Sequence, residues 1–304
     1  MKLFIVLLLL QALLVKTCYA QQTAPPRDFR DEVSKQAEIY NSAGRKVPEG
    51  YVIGRSLLSY TVILPPEFRH SLAGLSAQDR WLDIGAGEGH AVLDYRTSKY
   101  DVMLPGAGEG RAKAQAIAMS IEDRRTSRWH EAAASLGDKE LKYMFGRRLR
   151  EYSNEELGGQ FQLITDVLGG FSYTRLVSVF MEKTLGLLAV NGSFYTVLQD
   201  VQSEHGKNRP FYPPSPFLTE LVRRDGSEMK VCAWLKRIRC VEVSCEFKPD
   251  SSPPLESYHV RKTCAGVVVP ELVPVHFEAG TPPERRFQTK GTIREASEPA
   301  DARN

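Results

Sequence analysis

The segment Asp83-Ile84-Gly85-Ala86-Gly87-Glu88-Gly89-His90 holds the residues whose types and spacing point most directly to chemistry. An apolar run through Trp81 and Leu82 reaches an acid and then a Gly-x-Gly-x-Gly turn. Glycines let a backbone turn tightly and approach a ligand with no Cβ in the way. A helix opening at His90 would leave its first N–H groups facing that ligand. The pattern describes a cradle made by Asp83, Gly85, Ala86, Gly87 and Gly89. A dinucleotide fingerprint needs Gly-x-Gly-x-x-Gly, and counting from Gly85 puts His90 at its last position. A phosphate-binding loop needs Gly-Lys-Ser/Thr, which this segment lacks. Taken alone, the motif also reads as a plain strand-to-helix turn. A second glycine-rich run, Gly106 to Gly110, follows Met103-Leu104-Pro105 and reads as a loop.

The elements that must position this turn alternate between strand and helix from Arg80 onward, which implies a parallel sheet covered on both faces. The expected strands are Arg80 to Ile84, Ala114 to Ser120, Leu141 to Gly146, Phe161 to Val167 and Ser193 to Leu198. Between them lie helices from His90 to about Lys99, from Ile121 to about Leu136, and from Tyr173 to Leu187. The last of these carries Leu176, Val177, Phe180 and Leu187 at helical spacing. After a Pro- and Gly-rich loop, Gly206 to Pro216, a helix is expected from about Phe217 to Leu235. Cys240 to Lys248 and Glu256 to Thr263 flank a Pro-rich turn and read as an antiparallel hairpin. If hairpin pairs sum to 504, Cys240 lies opposite Cys264, which makes that the preferred disulfide, with Cys232–Cys245 as the second.

The motif, its flanks and this alternation resemble class I S-adenosylmethionine-dependent methyltransferases. Asp83 and the three glycines match the family's first motif, Asp/Glu-x-Gly-x-Gly-x-Gly. Phe161 to Val167 resembles its fourth-strand motif, and Leu187 to Phe194 its leucine-rich approach to the fifth strand, with Asn191 in place of one glycine. The resemblance covers roughly Tyr51 to Cys264. It implies a doubly wound, seven-stranded, mostly parallel α/β sheet, Rossmann-like, with an antiparallel C-terminal hairpin. It also implies S-adenosylmethionine as cofactor, cradled by Asp83, Gly85, Ala86, Gly87 and Gly89. In the family an acid ending the second strand binds the ribose; here Ala118 stands at the expected position, and Glu122 is the substitute. Asp166 is the expected base or orienting acceptor, and Tyr173 the residue shaping the acceptor pocket. No Asn/Asp-Pro-Pro-Tyr/Phe follows the fourth strand and no Pro-Cys pair occurs, so methylation of nucleic-acid bases is unsupported.

The bulk of the 304-residue chain is that of an ordinary globular protein, with 25% charged residues and a net charge of +3. Lys2 and an apolar run from Leu3 to Val15 precede Cys18-Tyr19-Ala20, a pattern expected of a signal peptide cleaved before Gln21. The apolar run would make a helix of roughly 20 Å, short of a bilayer core of about 30 Å. Its loss removes Lys2 and Lys16 and leaves 38 basic against 37 acidic residues, a balance that gives no footprint for nucleic acid. An exported, periplasmic or secreted protein is expected, with no membrane association after cleavage. Four cysteines remain after Cys18, consistent with an oxidising compartment, and they lack the spacing of a zinc site, so no metal is expected. The chain divides into the signal peptide 1–20, an N-terminal arm 21–50, a methyltransferase-like domain 51–275 and a disordered tail 276–304. The expected activity is methylation of a small-molecule or peptidic substrate. The alternative is an exported, inactive fold that binds a ligand or a protein.

Overall fold

The computed structural model describes residues 54–106, 113–199, 218–249, 255–278 and 284–290. The expected signal peptide, N-terminal arm and 206–216 loop lie outside the described residues, as does the chain beyond 290. Two helices lead in, α1 (Leu57–Ile63) and α2 (Glu67–Gly74). Ser56 caps α1 by accepting the Ser59 N–H, and Pro65-Pro66 separates the two helices.

The parallel strands are β1 (Arg80–Ile84), β2 (Gln115–Met119), β3 (Leu141–Met144), β4 (Phe161–Val167) and β5 (Leu188–Gln199). Between them run α3 (His90–Arg96), α4 (Ser127–Leu136), α5 (Gly170–Tyr173) and α6 (Val177–Leu187). Nearly every residue of β1, β2 and β4 is buried, as expected of strands covered on both faces. The chain then forms β6 (Leu218–Val222), β7 (Glu228–Met229) and α7 (Val231–Leu235). The hairpin β8 (Val241–Lys248) and β9 (Leu255–Lys262) follows, then β10 (Leu272–Glu278) and β11 (Glu284–Thr289). The main sheet has seven strands in the order β3-β2-β1-β4-β5-β9-β8, with β9 antiparallel to β5. A second sheet runs β10-β11-β6-β7.

Several boundaries differ from the sequence reading. Residues 121–126 are not helical; Thr126 accepts the Trp129 N–H and starts α4 only at Ser127. The expected Tyr173 to Leu187 helix is two helices, broken between Tyr173 and Val177. Only Val231–Leu235 of the expected helix from Phe217 is helical. Its first half turns back on itself at Asp225-Gly226, where Gly226 has a φ of 82°, so that β6 pairs with β7. The tail, expected to be disordered from 276, contains β11, which lies between β10 and β6 and buries Phe287 and Arg285. The first three residues of β11, Glu284-Arg285-Arg286, are all charged, and only Arg285 and Phe287 are buried, which leaves no apolar run to read.

Both cysteine pairs are bonded, Cys232–Cys245 and Cys240–Cys264, with Cα separations of 6.2 and 5.0 Å. The hairpin register is one residue off the expected one, Val241 facing Lys262. Cys240 reaches Cys264 because it has left the strand, with a φ of 65°. The two bridges fix α7 and the chain after β9 to the hairpin.

Two apolar cores lie on opposite faces of the main sheet. One gathers Tyr60, Phe68, Trp81, Tyr95 and Tyr195 under α1 to α3. The other packs Leu82, Phe180, Trp234, Tyr258 and Phe287 between the sheet, α6, α7 and the second sheet. Phe287→Ala is expected to cost about 3–5 kcal/mol of stability by denaturant unfolding, as for a fully buried aromatic. A disordered tail would show no change.

Candidate functional site

The exits of β1 and β4 form the centre of the candidate site. Gly85, Gly87 and Gly89 all have positive φ, at 70°, 56° and 73°. The turn is held from below by the Ala86 N–H, which donates to the Met119 carbonyl at 2.9 Å. A Cβ on Gly85 would stand 2.4 Å from the Gly169 Cα, so the turns after β1 and β4 cross in backbone contact. A Cβ on Gly89 would stand 2.6 Å from the Trp129 ring. Two of the three glycines are therefore required by the chain's own packing. Gly87 meets the protein from another side, its carbonyl accepting the Tyr143 hydroxyl.

Asp83 is fully buried. It accepts the Tyr60 hydroxyl at 2.9 Å and the Thr165 hydroxyl at 2.7 Å, and Thr165 in turn accepts the Trp81 indole N–H. Burial pushes its carboxyl up to about 7, against the pull of those two hydroxyls. Asp83 and Thr165 are paired in register and point to the same face of the sheet, beneath α1. Ile84 and Asp166, the next pair, point to the other face. The two acids thus flank the crossing turns from opposite sides and do not converge on one atom.

Asp166 is also fully buried and is pushed up to about 7 by burial. Its oxygens accept the N–H groups of Gly169 at 3.0 Å and Phe171 at 3.1 Å, with Gly170 as a further donor. It closes the turn that begins α5 and so places Tyr173, which is half-buried at the end of that helix. Asp166 thus holds the backbone of the turn, and Tyr173 lies nearer to solvent.

The ribose end differs more from expectation. Ala118 packs beneath Gly89, 3.3 Å from its would-be Cβ, and does not end the strand. The residue past the tip of β2 is Ser120, whose N–H donates to the Met144 carbonyl at 3.0 Å. Glu122 is paired with Arg124, and Asp123 with Arg125. Each acid at this end is thus met by an arginine two residues later. A ribose at this end would have to displace Arg124 from Glu122 or use Ser120. Sequence reasoning missed Tyr60, Thr165 and Ser120, since hydroxyls at strand ends and in a lead-in helix carry no spacing signal. It also missed Arg285. The sulfurs of Cys232 and Cys245 lie within 4.8 Å of a Glu256 oxygen, but they are bonded to each other and offer no thiolate.

Two outcomes follow for the buried network. Tyr60→Phe is expected to cost about 1–3 kcal/mol, since one buried carboxylate oxygen loses its donor. Both carboxyls are raised from 3.8 to about 7, so the native state holds extra protons across that window. Stability should then fall as pH rises from about 4 to about 7. Asp83→Asn should flatten that fall, as read by denaturant unfolding at pH 5 and pH 8; an unchanged slope would show that Asp83 is ionised throughout.

No protein-family model matches the sequence, and no curated protein matches it. Solved structures similar to this chain include an rRNA methylase from Streptococcus thermophilus, at 12% identity and a TM-score of 0.41, covering 65% of this chain and 95% of that one. Another is the N-methyltransferase NodS from Bradyrhizobium japonicum, at 11% and 0.38, covering 66% and 94%. A third is PKMT2 from Rickettsia typhi in complex with AdoHcy, at 17% and 0.34, covering 46% and 26%. The five parallel strands in the order β3-β2-β1-β4-β5, continued by the antiparallel pair β9-β8 and with the glycine turn after β1, make a doubly wound, Rossmann-like α/β fold.

Proposed function

We propose that this chain is an exported S-adenosylmethionine-dependent methyltransferase acting on a small-molecule or peptidic substrate in the cell envelope. The observation that carries the reading is the glycine turn at the exit of β1, the central strand, where it crosses the turn leaving β4. In open parallel sheets, ligands bind outside the carboxyl ends of the strands, where the strand order reverses. Here that point lies between β1 and β4. Gly85, Ala86, Gly87 and Gly89 would hold the cofactor, with Asp83 stiffening the turn from below and Ser120 or Glu122 at the ribose. The bound cofactor would supply an activated methyl group. The chain's own contribution is positioning: Asp166 fixes the turn that carries Tyr173, and Tyr173 borders the acceptor. Residues 1–20 would direct export; among the described residues no helix is long and apolar enough to cross a membrane.

A second reading is supported by the Glu122–Arg124 pair and by Ala118, which together leave the ribose without a free acid. In that reading the exported fold binds another ligand or a partner and transfers nothing.

Calorimetric titration of the mature protein with S-adenosylmethionine and S-adenosylhomocysteine separates the two. Micromolar binding, weakened about tenfold or more by Glu122→Gln, is expected if Glu122 receives the ribose. Absence of binding by folded protein at millimolar ligand would leave the second reading.

A further inference from the structure

Arg285 is the most unusual charged residue in the fold. It lies on β11, in the middle of the second sheet, and is 1% exposed. Its Nε donates to the Thr219 hydroxyl at 2.8 Å and its Nη1 to the Thr174 carbonyl at 2.9 Å. Nη2 is buried and has no hydrogen-bond partner. A guanidinium has five N–H donors, and these two bonds leave both hydrogens of Nη2 and one of Nη1 unused.

Both acceptors are neutral. Among the described residues, no carboxylate makes an ion pair with Arg285. The acid nearest in electrostatic terms is Asp166, whose oxygens are taken by the N–H groups of Gly169, Gly170 and Phe171. A charge removed from water without a partner carries a penalty of several kcal/mol, and buried charges are normally paired. Burial accordingly pushes the Arg285 guanidinium down to about 9.

The place matters as much as the charge. The 169–174 segment touches the glycine turn through Gly169 and hands its Thr174 carbonyl to Arg285. Tyr173 and Tyr258 are the other side chains in electrostatic reach. The guanidinium is thus tied through Thr174 to the segment whose Gly169 meets the glycine turn, on the side of the sheet that Asp166 faces.

We propose that Arg285 binds the carboxylate of a small-molecule substrate lodged between the exit of β4 and the second sheet. A carboxylate satisfies a planar guanidinium edge with two parallel hydrogen bonds and supplies the missing negative charge. Naming that molecule as the methyl acceptor rests on the function proposed above; the carboxylate site itself does not.

The test is calorimetric titration of the full protein, disulfides intact, with acetate, benzoate, benzamide and inorganic phosphate, each with and without S-adenosylhomocysteine. At least one of the two carboxylates should bind, and benzamide, which has benzoate's shape without its charge, should not. Arg285→Lys keeps the charge but loses the planar edge, and should weaken carboxylate binding about tenfold or more. Should that variant fail to fold, the comparison of benzoate with benzamide on the wild-type protein still decides. Equal binding of benzamide, no binding of either carboxylate at about 50 mM, full retention by a folded Arg285→Lys, or a preference for phosphate would each overturn the assignment. Carboxylate binding in a protein that ignores S-adenosylhomocysteine would keep the site and remove the methyltransferase reading.

Discussion

The backbone contact between Gly85 and Gly169 is the constraint on which the site depends. β1 and β4 are neighbours in the sheet, and their exits cross so closely that neither position tolerates a Cβ: one on Gly169 would lie 2.6 Å from the Ile84 carbonyl oxygen. Because the turns touch, the glycine cradle and the segment leading to Tyr173 are set relative to each other by main chain alone. Side chains then secure the arrangement from the two faces, Asp83 from one and Asp166 from the other.

Those two acids illustrate how a parallel sheet divides labour. Adjacent residues of a strand face opposite ways, so Thr165 joins Asp83 and Tyr60 beneath α1, while Asp166 turns toward α5 and the second sheet. Each carboxyl is held by hydrogen-bond donors, which stiffens its turn, while its burial raises its pKa. Hydroxyls and amides offset only part of the desolvation, which explains why the proton affinity rises despite good partners.

The second sheet is the feature that distinguishes this chain from the bare seven-stranded plan. It assembles from segments on either side of the β8–β9 hairpin, β6 and β7 before it and β10 and β11 after it, and it packs against α6 and α7. The disulfides secure α7 and the end of the hairpin that these segments join. Through Arg285 the same sheet reaches the 169–174 segment, so the part of the chain most remote in sequence comes to lie next to the candidate site.

The sequence by itself determined the parallel core. The mostly apolar runs at Arg80–Ile84 and Phe161–Val167 are strands over those residues, because a strand buried on both faces is nearly all apolar, and their buried Asp83, Thr165 and Asp166 are each hydrogen-bonded. The glycine spacing located the turn, and the cysteines paired as expected even though the register that suggested Cys240–Cys264 was off by one residue. What the residues around the turn do was decided by tertiary structure. Ala118 stands where the resemblance expects an acid, yet it packs under Gly89, because strand ends are set by pairing with neighbours rather than by local pattern. Glu122 is taken by Arg124, an interaction between side chains that spacing alone does not distinguish from two free charges. β11 was hidden because its Glu-Arg-Arg-Phe-Gln-Thr sequence looks like solvated chain, and it becomes a strand only when β10 and β6 supply partners on both sides. Arg285 acquired its meaning in the same way: burial is a property of what surrounds a residue, and nothing within the strand specifies it.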